Sequence, residues 1–341
     1  MTTAQINHLN IGLMIASAIA ALILPFELFL FSYAVLGPLH YLTEISWLHK
    51  RDYFTKSKYD FLVLLGCGVL IFAFSYMHKI VGLFTGFDEN GLPLISASAM
   101  ENMRFLQELG TPITFVAFGG ACVMILVKDK IAKLVAYILL GALAYFLSNN
   151  KTTGEAFLLM FAVFLPTLIH VFLFTGAFIL FGALKSRSPS GILSLVVFVI
   201  CPIVLLMLPA TGYEVSAKAI DSYQDSFVDL NYRVFEVFFP AMLPDIESFK
   251  LMIADESQAS QAYGFELFKL IYYSDTGVLI TRFIAFAYTY HYLNWFSKTS
   301  IIKWHLVPKK WLIVVLTLWA VSVGLYILSL IHISEPTRRD Q

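Results

Sequence analysis

Apolar runs long enough to cross a bilayer recur along almost the whole chain, and most of the charge lies in the links between them. A span needs about 20 mostly apolar residues. By that rule the runs are 9–25, 27–48, 60–78, 111–127, 131–147, 155–184, 190–210, 277–297 and 311–330. Of the 341 residues, 59% are hydrophobic and 13% charged, about half the ~25% charged share of soluble domains. The pattern predicts an all-α polytopic transmembrane bundle of about nine spans, forming one transmembrane domain over residues 1–327. The stretch 9–48 is nearly unbroken. We divide it at Pro25-Phe26-Glu27, where the proline interrupts helix continuity and the carboxylate prefers an interface.

The distribution of basic residues sets an expected orientation. Short basic links follow spans two, four, six and eight: Lys50, Arg51, Lys56 and Lys58; Lys128, Lys130 and Lys133; Lys185 and Arg187; Lys298, Lys303, Lys309 and Lys310. The alternate links carry few: Lys79 and Arg104; Lys151; then Lys218, Arg233, Lys250 and Lys269. This places the N-terminus in the cytoplasm and the links 87–109 and 211–276 outside, in an integral membrane protein expected in a bacterial inner membrane. The longer link is acidic yet aromatic. Its stretch Val234–Ile246 is too short and interrupted to span, so it is expected along the outer interface or capping the bundle.

A formal net charge of zero gives no reason to expect nucleic acid as a partner. Cys67, Cys122 and Cys201 are far apart and read as small packing residues, not a redox or zinc motif. Residues 1–9 contain no Lys or Arg, so the first run reads as a retained span. Residues 328–341 read like a translated sequencing adapter. They are set aside with His332, and the last span is expected to be cut short.

Chemistry is concentrated in three histidines inside apolar runs: His40, His170 and His291. Ionisable groups held in hydrocarbon usually face the protein interior and mark a cofactor, an ion path or a proton relay. At about 1.5 Å rise per residue the expected depths from the outer face are ~20, ~22 and ~21 Å, one common layer. Positions three and four apart share a helix face, which adds Tyr33, Gly37, Glu44 and Trp47 beside His40. It adds Tyr288, Asn294 and Trp295 beside His291, and Pro166, Thr167 and Phe174 beside His170.

The expected metal ligands are therefore His40, His170, His291 and Glu44. Glu44 doubles as the candidate catalytic carboxylate, and Tyr288, Asn294 and Trp295 line the cofactor. Imidazole with carboxylate best suits non-haem iron, with zinc or haem b as alternatives. A lone membrane histidine can also do no more than bond a neighbouring helix. His8, His49, His78 and His305 read as interface residues, His49 and His305 being reserve ligands. Arg282 is expected to snorkel or pair.

Gly37–Glu44 (GPLHYLTE) and Tyr288–Phe296 (YTYHYLNWF) resemble motifs of the integral-membrane β-carotene-cleaving oxygenases of the Brp/Blh kind. The resemblance covers about twenty residues. It implies an all-helical fold in which His40, His170 and His291 hold iron that cleaves a polyene with dioxygen. This chain lacks that family's second closely spaced histidine on the later helix, and it is longer by an external loop. The function expected is a metal-dependent oxygenase or desaturase-like oxidoreductase acting on a lipidic small molecule in the bilayer. The alternatives are a haem-binding electron carrier, a proton-coupled transporter, or a subunit docking a membrane-complex partner.

Overall fold

The computed structural model describes residues 2–49, 61–88, 92–149, 169–210, 213–224, 227–253, 255–298 and 307–333. Among them the chain is helical throughout, with no strand beyond a single bridge between Phe87 and Pro93. Seven helices among the described residues are long and apolar enough to cross a membrane. They become eight if the pair Leu62–Ser75 and Met77–Thr85, bent by 57°, is one span. The chain divides into two compact units, residues Met1–Glu44 with Val163–Gln341 and residues Ile45–Ala162.

The first unit begins with α1 (Thr3–Ile23), opened by a capping box in which Thr2 Oγ1 accepts from Gln5 N at 3.3 Å and Gln5 Oε1 accepts from Thr2 N at 2.8 Å. The chain leaves helical geometry at Leu24, and Pro25 opens α2 (Pro25–Phe31) from the first-turn position that suits its fixed φ. A π-helical turn, Ser32–Leu36, leads into α3 (Gly37–His49). Together they make one 23-residue candidate span, Pro25–Trp47.

The second unit holds α4 (Phe61–Ser75), α5 (Met77–Thr85), α6 (Ala97–Glu108), α7 (Gly110–Leu126) and α8 (Lys130–Asn149). Here α7 packs on both α4 and α8. Within the link expected over 87–109, the chain is helical from Ala97 and runs into α7 as one 30-residue span candidate. Ser96 caps that start, accepting from Ala99 N at 3.3 Å, and α6 itself, with Ala, Met, Glu and Gln among its residues, contains no Gly or Pro.

In the first unit again, a π-helical stretch at 169–174 leads into α9 (Thr175–Ser186), and α10 (Pro189–Met207) comes next with Ser188 as its cap. The long link then folds into α11 (Ala217–Gln224), α12 (Val228–Phe238), α13 (Ile246–Met252) and α14 (Glu256–Tyr272). Val234–Ile246 does not form a span. It holds the end of α12, a 3₁₀ turn at Pro240–Met242 and the start of α13. Tyr223, Phe227, Phe235 and Tyr272 from this link are buried with Phe26, Phe29 and Tyr288 in a single core. Glu27 fastens the link's beginning, accepting from Tyr213 Oη at 3.0 Å and Ser216 Oγ at 2.9 Å. Burial and the Glu27 carboxylate together raise the Tyr213 phenol well above its usual range.

The axis of this unit is α15 (Asp275–Ser297), which touches α1, α2, α10, α12, α14 and the π turn before α3. Of its 23 residues, 15 are buried. Several polar groups inside it are tied to other helices. Thr289 Oγ1 meets Ser32 Oγ at 2.6 Å, and Thr281 Oγ1 accepts from Asn231 Nδ2 at 3.0 Å. Arg282, only 3% exposed, donates from Nη1 to the carbonyls of Leu208 and Pro209, where α10 ends and a positive charge suits its dipole. It thus pairs with backbone carbonyls. The last helix, α16 (Lys309–Ile333), contributes Trp319, whose Nε1 donates to Val35 O in the π turn at 2.8 Å. Residues 334–341 of the adapter-like tail lie outside the described residues.

Candidate metal centre

Three helices of the first unit bring His40, His170 and His291 into ring contact. The His291 ring lies 4.8 Å from that of His40 and 5.1 Å from that of His170, both edge-on. One nitrogen from each lies within 4.8 Å of the others. His40 Nε2 and His291 Nε2 stand 3.3 Å apart, and Glu44 Oε2 lies 3.0 Å from His40 Nε2. The three histidines therefore converge, with Glu44 in contact with His40.

Local backbone geometry explains how they meet. His40 lies just beyond the Ser32–Leu36 π turn, in which Gly37 N bonds Ser32 O, and His170 lies in the 169–174 π-helical stretch. A π turn holds one extra residue and rotates the rest of the helix out of ideal α register, a device common at functional sites. Gly37 lets Tyr292 pack closely: a Cβ there would lie 3.2 Å from the Tyr292 hydroxyl, so the ring would have to shift by a few tenths of an ångström. Glu44, one turn beyond His40, shares its face through i,i+4 spacing.

Trp295 closes one side, edge-on to His40 at 5.4 Å, and its Nε1 donates to Thr43 Oγ1 at 3.0 Å. Tyr292 lies 5.1 Å from the His40 ring and 5.6 Å from His291. Thr175 Oγ1 stands 2.8 Å from His291 Nδ1. Sequence reasoning passed over Thr43, Thr175 and Tyr292. Thr43 and Tyr292 sit three residues from His40 and one from His291, but nothing in the sequence separates them from ordinary packing residues. The other two expected cofactor-lining residues lie elsewhere. Tyr288 packs on Phe29 at 5.3 Å and on Tyr292 at 6.0 Å, one layer away from the imidazoles. Asn294 is buried at the tie between α15 and α1, where Ser297 Oγ lies 2.8 Å from Asn294 O and 2.9 Å from Asn10 Oδ1. Pro166, Thr167, His305 and the His49 side chain lie outside the described residues.

The three histidines could hold a small cation. With metal–nitrogen distances of about 2.0–2.1 Å, two ligands on a tetrahedral ion stand about 3.3 Å apart, the spacing of the His40 and His291 nitrogens. His40, 1% exposed, keeps a buried Nδ1 with no hydrogen-bond partner among the described residues. An imidazole buried this fully is costly unless the site uses it. Tyr41, Leu173 and Phe174, all exposed, flank the histidines. No protein-family model, curated protein or solved structure matches the chain.

Proposed function

We propose that this protein is an integral membrane metal-dependent oxidoreductase, of oxygenase or desaturase-like type, whose metal is held by His40, His170, His291 and Glu44. The observation that carries the reading is the convergence of three imidazole nitrogens within 4.8 Å inside an apolar helical unit. Non-haem iron suits this donor set best and zinc next. Haem is the weaker choice. Two histidines holding haem would need the porphyrin between them, whereas these rings touch one another directly. Bound iron would supply redox chemistry with dioxygen.

The chain's own residues do the rest. The imidazoles bind, and Glu44, 25% exposed at its side chain, orients His40 or joins the ligands. Trp295 and Tyr292 keep water from the rings. The exposed Tyr41, Leu173 and Phe174 give the site an apolar flank that suits a lipidic substrate. The resemblance to the Brp/Blh-type oxygenases agrees with this reading.

We place the centre in a bundle of nine spans with the N-terminus in the cytoplasm, in a bacterial inner membrane. At 1.5 Å per residue α15 is ~35 Å long, enough to cross although it is too polar to be chosen by apolarity. The positive-inside alternation supports this count and orientation.

A second reading rests on one observation. Thr175, His291, His40 and Glu44 lie in successive polar contact at 2.8, 3.3 and 3.0 Å, the last two both at His40 Nε2, a grouping of the kind a proton-coupled transporter uses. One experiment separates the two. Detergent-purified protein loaded with ferrous iron is given a panel of unsaturated lipids, and oxygen uptake is followed. Uptake that requires both lipid and Glu44 supports the enzyme. No uptake with fully loaded protein, together with proton flux in proteoliposomes that survives chelation, overturns it for the transporter.

A further inference from the structure

We infer that Thr175 is a positioning residue that forces His291 to present its Nε2 lone pair to a metal. This rests on the metal-centre reading above and goes beyond it, because it assigns a tautomer and names the group that imposes it.

Counting protons fixes the tautomer. A threonine hydroxyl has one proton to donate. Thr175 Oγ1 lies 2.7 Å from Val171 O, a carbonyl that can only accept, so the proton goes there. The same oxygen lies 2.8 Å from His291 Nδ1. With its proton committed, Thr175 can only accept across that second contact. His291 must therefore carry its proton on Nδ1. A neutral imidazole protonated on Nδ1 is bare at Nε2, and it is Nε2 that faces His40 Nε2 at 3.3 Å.

Burial makes the choice firm. Thr175 is 2% exposed, so no solvent stands by to accept the His291 proton in its place. The reversed tautomer would leave a buried N–H pressed into the cluster and set Nδ1 against an oxygen with nothing to donate. The backbone contributes as well, because Val171 belongs to the 169–174 π-helical stretch that carries His170. One short stretch of chain thus supplies a ligand and, through Val171 and Thr175, fixes the proton of a second ligand on another helix. Thr43 repeats the device: its Oγ1 lies 2.7 Å from Leu39 O and 2.9 Å from His40 O, so it too accepts, from Trp295 Nε1.

The test uses full-length protein in detergent and zinc alone as the probe. Wild type, Thr175→Ser and Thr175→Val are titrated with zinc. Histidine ¹⁵N shifts are recorded on the metal-free forms, with the His291 signals assigned by their loss in His291→Asn. Removing such an outer partner typically weakens a metal by roughly 10–100-fold, so Thr175→Val should bind zinc that much more weakly at unchanged helicity. Thr175→Ser should match wild type. His291 should show a protonated Nδ1 in wild type and lose that preference in Thr175→Val. If the valine variant does not fold, Thr175→Ala removes the acceptor without crowding. Zinc binding absent from wild type sinks the metal reading itself. Zinc bound equally by wild type and Thr175→Val, or a protonated Nε2 on His291 in wild type, overturns this inference and leaves that reading standing.

Discussion

Two helices of similar length, α8 and α15, solve opposite problems. α8 is apolar enough to be chosen as a span by composition, yet only 6% of its apolar window is buried. α15 carries Thr281, Arg282, Thr289 and Asn294, is not chosen on apolarity, and buries 15 of its 23 residues. In water the more apolar helix would be the inner one. In a bilayer the solvent is itself apolar, so an apolar side chain facing lipid loses nothing and helices gain from close packing and interhelical hydrogen bonds. Hydropathy therefore reports contact with lipid, and the polar helix marks the interior where the metal site can be built.

The contrast is sharpest at the site. His40→Ala should weaken zinc or ferrous iron by roughly 100-fold or more, since a ligand counts for more than the outer partners that cost 10–100-fold. An alanine at exposed Leu139 on α8 should leave metal affinity unchanged. Equilibrium metal titration of the two variants checks both.

Packing gives the next largest effect. Phe286 on α15 is fully buried, and Phe286→Ala should cost about 3–5 kcal/mol. Leu139 is 64% exposed, and Leu139→Ala should stay within about 0.5 kcal/mol. Reversible unfolding in mixed detergent compares them, and equal losses would erase the distinction between the helices.

The buried hydroxyl pair is worth less. A double-mutant cycle on Ser32→Ala and Thr289→Val should return about 0.6 kcal/mol, and no more than about 1.7, as for other interhelical hydrogen bonds in membranes. The smallest effect belongs to the link. Asp245 caps α13, and hydrogen bonds from Ser248 Oγ and Glu247 N hold its carboxyl below the usual range. A depressed carboxyl stabilises above its ordinary pKa and loses that contribution as pH falls through the lowered one. Hydrogen exchange over 246–252 should therefore quicken only in acid, and Asp245→Ala should remove that pH dependence.

Much of this was legible in the chain. The all-helical class came from run length and the paucity of charge, and the break near Pro25 from one residue. The histidines were legible because imidazoles in hydrocarbon are conspicuous and their depths agreed. Glu44 and Trp295 came from helical spacing on the same faces. What the pattern missed depends on rotation and register. Tyr292, adjacent to His291, reaches His40 while Tyr288, a turn earlier, does not. Both π turns shift the register away from ideal spacing, so Thr175, five residues beyond His170, comes to serve His291 instead. The extension of helix back to Ala97 was hidden because Glu101, Arg104 and Glu108 resemble a loop to any count of apolar residues.

The most direct test is elemental analysis of the full-length protein purified in detergent without chelator, beside a His40→Ala, His170→Ala, His291→Ala triple variant that keeps its helical spectrum. About one transition-metal atom per wild-type chain, iron first, and none in the variant is the predicted result. A folded wild type that stays metal-free after incubation with ferrous iron and with zinc would contradict it.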